Sequence, residues 1–155
     1  MILYRASKSK YSKKLSGEGA KEAGGRWNSK GIPIIYTAEN EALCQLETLA
    51  HFNLTETPNG YKLISIYAPD TISTKTVQLS DLPKDWNSIP YKKVSQKIGD
   101  ELYRENKYLL LKVPSVSAET CFNCLINPDN PEFKKIKIMK IEDFGIDKRL
   151  IHKVK

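Results

Sequence analysis

Arg26, Tyr36 and Glu47 follow one another at intervals of ten and eleven residues, and each could do chemistry. Arg26 lies in "GEGAKEAGGRWNSKG" (17–31), which gathers five of the chain's eight glycines into fifteen positions. Glycine at that density exchanges chain entropy for backbone freedom, as a loop approaching another group closely requires. An arginine in such a loop can bring a bidentate cation to a phosphate or a carboxylate. Trp27 and Asn28 beside it either anchor the loop, by packing and by local hydrogen bonds, or line the site it builds. The loop has neither the Lys-Ser/Thr ending of a P-loop nor a G-x-G-x-x-G placed after a strand, so it is not a generic phosphate cradle.

Glu47 stands at the edge of a helical apolar stripe, about 40° round from Leu43. It reads either as a rim carboxylate that reaches water or pairs with an arginine, or as a group that works on a ligand. Tyr36 closes an apolar run and reads as core or as a ring facing a ligand. Ser115 follows a strand and a proline. With His51 and His152 the only two histidines, a Ser-His-Asp triad has no support. Ser115 is therefore a positioning hydroxyl or a strand-end turn. Asn127-Pro128 is a turn signal first. Cys121 and Cys124 form a CxxC inside an apolar run, and with Cys44 they make three cysteines, read as buried structural thiols. No metal site is expected, because Cys44, His51 and His152 stand at no recognised ligand spacing from that pair.

The elements that must position these groups are legible in outline. "MILYRA" reads as an opening strand and "IPIIYTA" (32–38) as a buried one. Asn40 can cap a helix over 41–52, with Leu43, Leu46 and Ala50 on its inner face. Residues 61–67 alternate as a strand. Residues 70–90 read as an irregular excursion, and Pro90 can open a helix through 91–106 with Val94, Ile98 and Leu102 inward. Three more strands are expected at 108–115, 120–128 and 133–141. At least five strands and two helices in mixed order predict an α+β fold: a mixed compact sheet with flanking helices, in one domain spanning 1–155.

The formal net charge is +7, with four lysines in "KSKYSKK" (8–14) and eight basic against three acidic residues from Lys134 to Lys155. Such a surface suits an anionic partner or simply solvates the fold. No apolar run approaches the ~20 residues of a membrane helix. The start lacks the order of a secretory signal, so a cytoplasmic protein without membrane association is expected.

The stretch "YRASKSKYSKKLSGEGAKEAGGRWNSKGIPIIYTAENEALCQLETLAHF" resembles the opening half of the RES-domain toxins, the toxin partners in Xre–RES type II toxin–antitoxin systems. The likeness continues through "VPS", "NCLINPDNPEFKKIKI" and "EDFGIDKRL", and is least distinctive between about 70 and 105. The arginine, glutamate and serine that name the family fall by motif on Arg26, Glu47 and Ser115. Tyr36 is the accompanying aromatic and Asn127 the family's asparagine.

This resemblance implies an ADP-ribosyltransferase-like fold, NAD as substrate, no metal, a cognate Xre-type antitoxin, and a homodimer within a hetero-oligomer. It also implies roles: Glu47 stabilising a ribosyl cation, Tyr36 offering a face to nicotinamide or ribose, Arg26 holding the diphosphate or a ribose hydroxyl, and Ser115 positioning substrate or Glu47. Trp27, Asn28 and Asn127 complete the implied NAD-binding set. The implied reaction is NAD degradation with water or phosphate as acceptor. ADP-ribosyl transfer to a protein is the alternative. A basic RNA-acting toxin ranks third, because the chain lacks an acid–base histidine pair and the basic–aromatic clusters of a stacking platform.

Overall fold

A computed structural model describes residues 1–52 and 59–150; His152, Lys153 and Lys155 lie outside the described residues. Among the described residues the β-branched and aromatic runs form seven strands: β1 Ile2–Lys8, β2 Ile35–Ala38, β3 Tyr61–Tyr67, β4 Thr74–Thr76, β5 Leu110–Pro114, β6 Phe122–Ile126 and β7 Lys137–Asp143. They join in one mixed sheet of order β4-β5-β6-β2-β1-β3-β7, in which only β4 and β5 run parallel. The described residues also form three α-helices: α1 Glu18–Ala23, α2 Glu41–Leu49 and α3 Lys93–Glu105. The architecture is α+β, as the order of elements predicts.

Both faces of the sheet are covered. Leu3, Ile35, Ile64, Ile66, Leu110 and Ile126 fill one core, while Ala38, Leu43, Cys44 and Leu63 pack beneath α2. Alternation along β3 sends Leu63 to α2 and the fully buried Ile64 and Ile66 to the other core or its edge.

The sheet forks at its middle. β1 pairs with β3 through seven residue pairs, but with β2 only at Tyr4↔Ala38. Beyond that pair the two strands diverge, and α2 packs on both. Asn40 caps α2 as expected, its Oδ1 accepting from the Leu43 N–H at 2.8 Å. The inward arc differs from the one the apolar spacing predicts. Leu43 and Cys44 are buried, whereas Leu46 is 43% exposed and Ala50 is also exposed. A helix laid over a fork turns Cys44, Glu47, Thr48 and His51 towards the gap, and two of the apolar residues consequently face out.

The glycine loop is held by helix α3, which starts three residues after Pro90. Its most buried positions are Ser95, Gly99 and Asp100, not the expected apolar set, although Ile98 and Leu102 do pack around Trp27 and Leu125. A Cβ on Gly99 would lie 1.8 Å from the Trp27 carbonyl oxygen, so only glycine permits this approach. Gln96 Nε2 donates to the carbonyls of Gly25 (3.0 Å) and Asn28 (3.2 Å), and Asp100 Oδ1 accepts from the Ser29 N–H (2.9 Å). The 70–90 segment is more ordered than its composition suggests. It contains β4, a 3-10 turn over Leu79–Asp81 and the buried Trp86, whose ring centroid lies 6.0 Å from that of Trp27.

Candidate active site

The fork between β1 and β2 opens a cleft of about 210 Å³. Its walls include Arg5 from β1, Tyr36 from β2, Cys44 and Glu47 from α2, His51 from the turn after it, and Asn123 from β6. Of the residues singled out from the sequence, Glu47 and Tyr36 line this space, and Ser115 joins it from below through Glu47.

Glu47 reaches the cleft because it lies on the arc of α2 that faces the fork. Its Oε1 accepts from Ser115 Oγ at 2.6 Å and from Asn123 Nδ2 at 2.7 Å. Ser115 is fully buried just after β5, and its oxygen accepts in turn from the backbone N–H groups of Ser117 (3.0 Å) and Ala118 (3.1 Å). A hydroxyl has one proton to give, and here it goes to Glu47. Ser115 is thereby a relay from a backbone turn to the carboxylate, its oxygen already engaged by two backbone N–H donors. The start of β6 is secured by Glu39, which accepts from the Phe122 N–H (2.7 Å) and pairs with Lys112 at 3.3 Å.

Tyr36 ties the cleft to the glycine loop. Its hydroxyl donates to Asn28 Oδ1 (2.7 Å) and accepts from the Trp27 N–H (3.1 Å). Burial pushes this phenol above its ordinary range, with the Trp27 N–H acting the other way. A Cβ on Gly25 would lie 2.6 Å from that hydroxyl, which explains one glycine of the pair "GG". Tyr36→Phe strips a partner from both the Trp27 N–H and Asn28 Oδ1. It is expected to cost about 1–3 kcal/mol of stability, read as a lower urea midpoint at unchanged slope.

Arg26 is committed elsewhere. Its Nη1 donates to the carbonyls of Trp86 (2.9 Å) and Ser88 (3.1 Å), Nη2 donates to Ser88 (3.2 Å), and the guanidinium lies 5.7 Å from the Tyr91 ring centroid. Burial lowers its pKa, while Glu47, Tyr36 and Tyr91 act to raise it, so Arg26 still feels the cleft's carboxylate. The cleft is also lined by Arg5, whose guanidinium makes one hydrogen bond among the described residues, a long 3.4 Å contact to the Lys14 carbonyl. Burial lowers the pKa of Arg5 too, yet an arginine remains charged.

Trp27 and Asn28 are buried, and the structure uses both to build the loop. Asn28 Nδ2 donates to the carbonyls of Ala20 (2.8 Å) and Ile32 (2.9 Å). Asn127 lies away from the cleft, in a polar knot at the end of α3: its Nδ2 donates to Asn106 Oδ1 (3.1 Å) and its Oδ1 accepts from the Asp129 N–H (2.9 Å). The Cys44 thiol is pushed up to about 11 and the Cys124 thiol to about 12, in both cases by burial.

Two residues of the site, Arg5 and Asn123, escaped the sequence reading. Each is a polar residue within an otherwise strand-like run, "MILYRA" and "TCFNCLINP", and that mismatch was the available signal. The assembled site has a carboxylate with one oxygen held and, among the described residues, no donor to the other, together with an arginine and an aromatic ring. It suits a ligand that carries negative charge at one end and develops positive charge at the other.

The RES domain family profile matches residues 2–147. A protein of Sphingobium sp. named Prs ADP-ribosylating toxin is 39% identical over 141 residues, covering 90% of this chain and 88% of its own length. Toxin Res of Photorhabdus laumondii is 37% identical over 153 residues, 97% of either chain. A chain in the crystal structure of the M. tuberculosis MbcT–MbcA toxin–antitoxin complex superposes with a TM-score of 0.77, over 92% of this chain and 83% of that one. At 20% identity that likeness is one of fold.

Proposed function

The chain belongs to the RES-domain family, and from that premise we propose that it is the toxin of a toxin–antitoxin system that breaks the nicotinamide–ribose bond of NAD, with water or phosphate as acceptor. The observation that carries this reading is the Glu47 carboxylate, held through one oxygen in a cleft that also presents Arg5. In NAD the bond from the ribosyl carbon to the nicotinamide nitrogen breaks with its electron pair leaving on nicotinamide. The leaving group is then neutral and needs no general acid. Positive charge grows on the ribosyl carbon and ring oxygen, as in other glycoside cleavages. A preorganised carboxylate stabilises that charge more than it stabilises the ground state. Water or phosphate then bonds to the ribosyl carbon, water giving up a proton to solvent.

In this reading Arg5, which lines the cleft, meets the diphosphate, and Tyr36 offers its ring to the nicotinamide or ribose. Arg26 could hold phosphate only by releasing the Trp86 and Ser88 carbonyls, so its part is to secure the 86–91 segment beside the site. Arg5→Ala is expected to raise KM for NAD about tenfold at nearly constant kcat, consistent with the loss of one charge-assisted contact. A larger effect on kcat than on KM would remove Arg5 from phosphate binding.

ADP-ribosyl transfer to a protein is the second reading, favoured by the name of the Sphingobium relative. The two share bond cleavage and differ in the acceptor. Purified protein incubated with NAD, with and without phosphate and cell extract, decides between them by mass spectrometry. Nicotinamide with ADP-ribose or its 1-phosphate establishes degradation; nicotinamide only with extract, together with a modified protein, establishes transfer. Intact NAD throughout from a folded sample rejects both. The cognate partner in this reading is an Xre-type antitoxin acting in the cytoplasm, with an acidic segment suited to the +7 chain, and the toxin pairs as a homodimer within that complex.

A further inference from the structure

We propose that Asn123 is a positioning residue that acts through Glu47, converting a rotatable carboxylate into one with a single oxygen presented to the ribosyl centre; this rests on the NAD reading above. The terminal torsion of a glutamate is broad, so one hydrogen bond leaves the carboxylate plane free to swing. Here two donors converge on the same oxygen. Ser115 Oγ approaches from the end of β5 at 2.6 Å and Asn123 Nδ2 from β6 at 2.7 Å.

The two donors are themselves fixed relative to one another. β5 and β6 pair in register at Val113↔Asn123 and Pro114↔Phe122, and the Ser115 N–H donates to the Cys121 carbonyl at 3.0 Å. Oε2 has no donor among the described residues, and none of their buried side-chain polar atoms lacks a partner. Oε2 is therefore open, and the cleft is where it opens.

The orientation of the Asn123 amide follows from chemistry. A carboxylate oxygen only accepts, so the amide must turn its Nδ2 to Glu47. Asparagine meets this need and aspartate of the same shape does not. A fixed carboxylate costs no reorganisation when charge develops beside it, and that advantage appears in kcat rather than in substrate binding.

Two measurements on the full chain test this. In 15N-labelled wild-type protein, one Asn123 side-chain amide proton is expected downfield and slow to exchange, and both features are lost in Glu47→Ala. An Asn123 amide signal unchanged in Glu47→Ala overturns the proposal whether or not NAD is the substrate. In NAD turnover, Asn123→Ala is expected to lower kcat about 10- to 100-fold with KM within about twofold. Asn123→Asp, which keeps the shape and loses the donor, is expected to lose at least as much. A wild-type kcat in either variant, or a loss confined to KM, overturns the positioning role. A wild-type protein that shows the protected amide but leaves NAD intact removes the NAD reading and retains the Glu47–Asn123 clamp.

Discussion

Glu47→Gln is expected to lower NAD cleavage by about 100- to 1000-fold in kcat while the melting temperature stays close to wild type. Glutamine is the informative replacement because its carbonyl oxygen can still accept from Ser115 and Asn123, the two contacts made by Oε1. The scaffold under the side chain then remains satisfied, and no buried donor is orphaned. What changes is the open end of the group. An anionic oxygen becomes a neutral amide nitrogen that presents hydrogens to a centre becoming positive. Steady-state rates and a thermal melt on the same sample separate the two effects. Turnover within about threefold of wild type would mean that the negative charge of Glu47 does not stabilise the transition state.

Gly99→Ala is expected to be the most damaging alanine substitution among the glycines. The added carbon would lie 1.8 Å from the Trp27 carbonyl oxygen and 2.8 Å from its carbonyl carbon, both backbone atoms that no rotamer change can move. Either α3 or the glycine loop must shift. The shift would loosen the Gln96 contacts to Gly25 and Asn28 and the Ser29 N–H contact to Asp100. Overpacking of this kind costs about 3 kcal/mol or more, which for a chain of this length lowers the melting temperature by roughly 6–12 °C. Gly19→Ala is the control. It lies within α1 with no heavy atom within 4 Å of the added carbon, and is expected to be neutral or to stabilise by up to about 1 kcal/mol. Equal melting temperatures for the two variants would show that α3 does not dock on Trp27 as described.

The two substitutions address different layers of one device. In the proposed reaction Glu47 meets the reacting atoms, whereas Gly99 lets α3 hold the loop whose Trp27 N–H and Asn28 Oδ1 fix the Tyr36 hydroxyl. Damage to the loop should therefore reach the cleft through Tyr36, which lines it.

Much of this organisation is written locally. The Asn40 cap, the β-branched run ending at Tyr36, the alternation of 61–67 and the cluster of glycines before Arg26 are determined by neighbours in sequence, and the corresponding elements form where those signals stand. The family motif likewise singled out Arg26, Tyr36, Glu47, Ser115 and Asn127, of which Tyr36 and Glu47 line the cleft, Ser115 bonds to Glu47, and Arg26 and Asn127 are held by other partners. Helix inner faces were harder to read. For α2 the apolar spacing was overridden, because the helix covers a fork; in α3 Ile98 and Leu102 do pack inward, but the closest docking on the glycine loop falls to Gly99 and Asp100.

The elements and the motif-bearing residues depend on propensity, capping and patterning over a few positions, and are local in origin. Which polar groups meet is a property of the assembled sheet. Ser115 and Asn123 lie 68 and 76 residues from Glu47, and Arg26 lies 60 from the Trp86 carbonyl it holds. Such partners are selected by strand order and register, through which β5 and β6 carry their donors beneath α2 and the fork exposes Arg5. No local pattern encodes that order, because it emerges from burying both faces of one sheet at once.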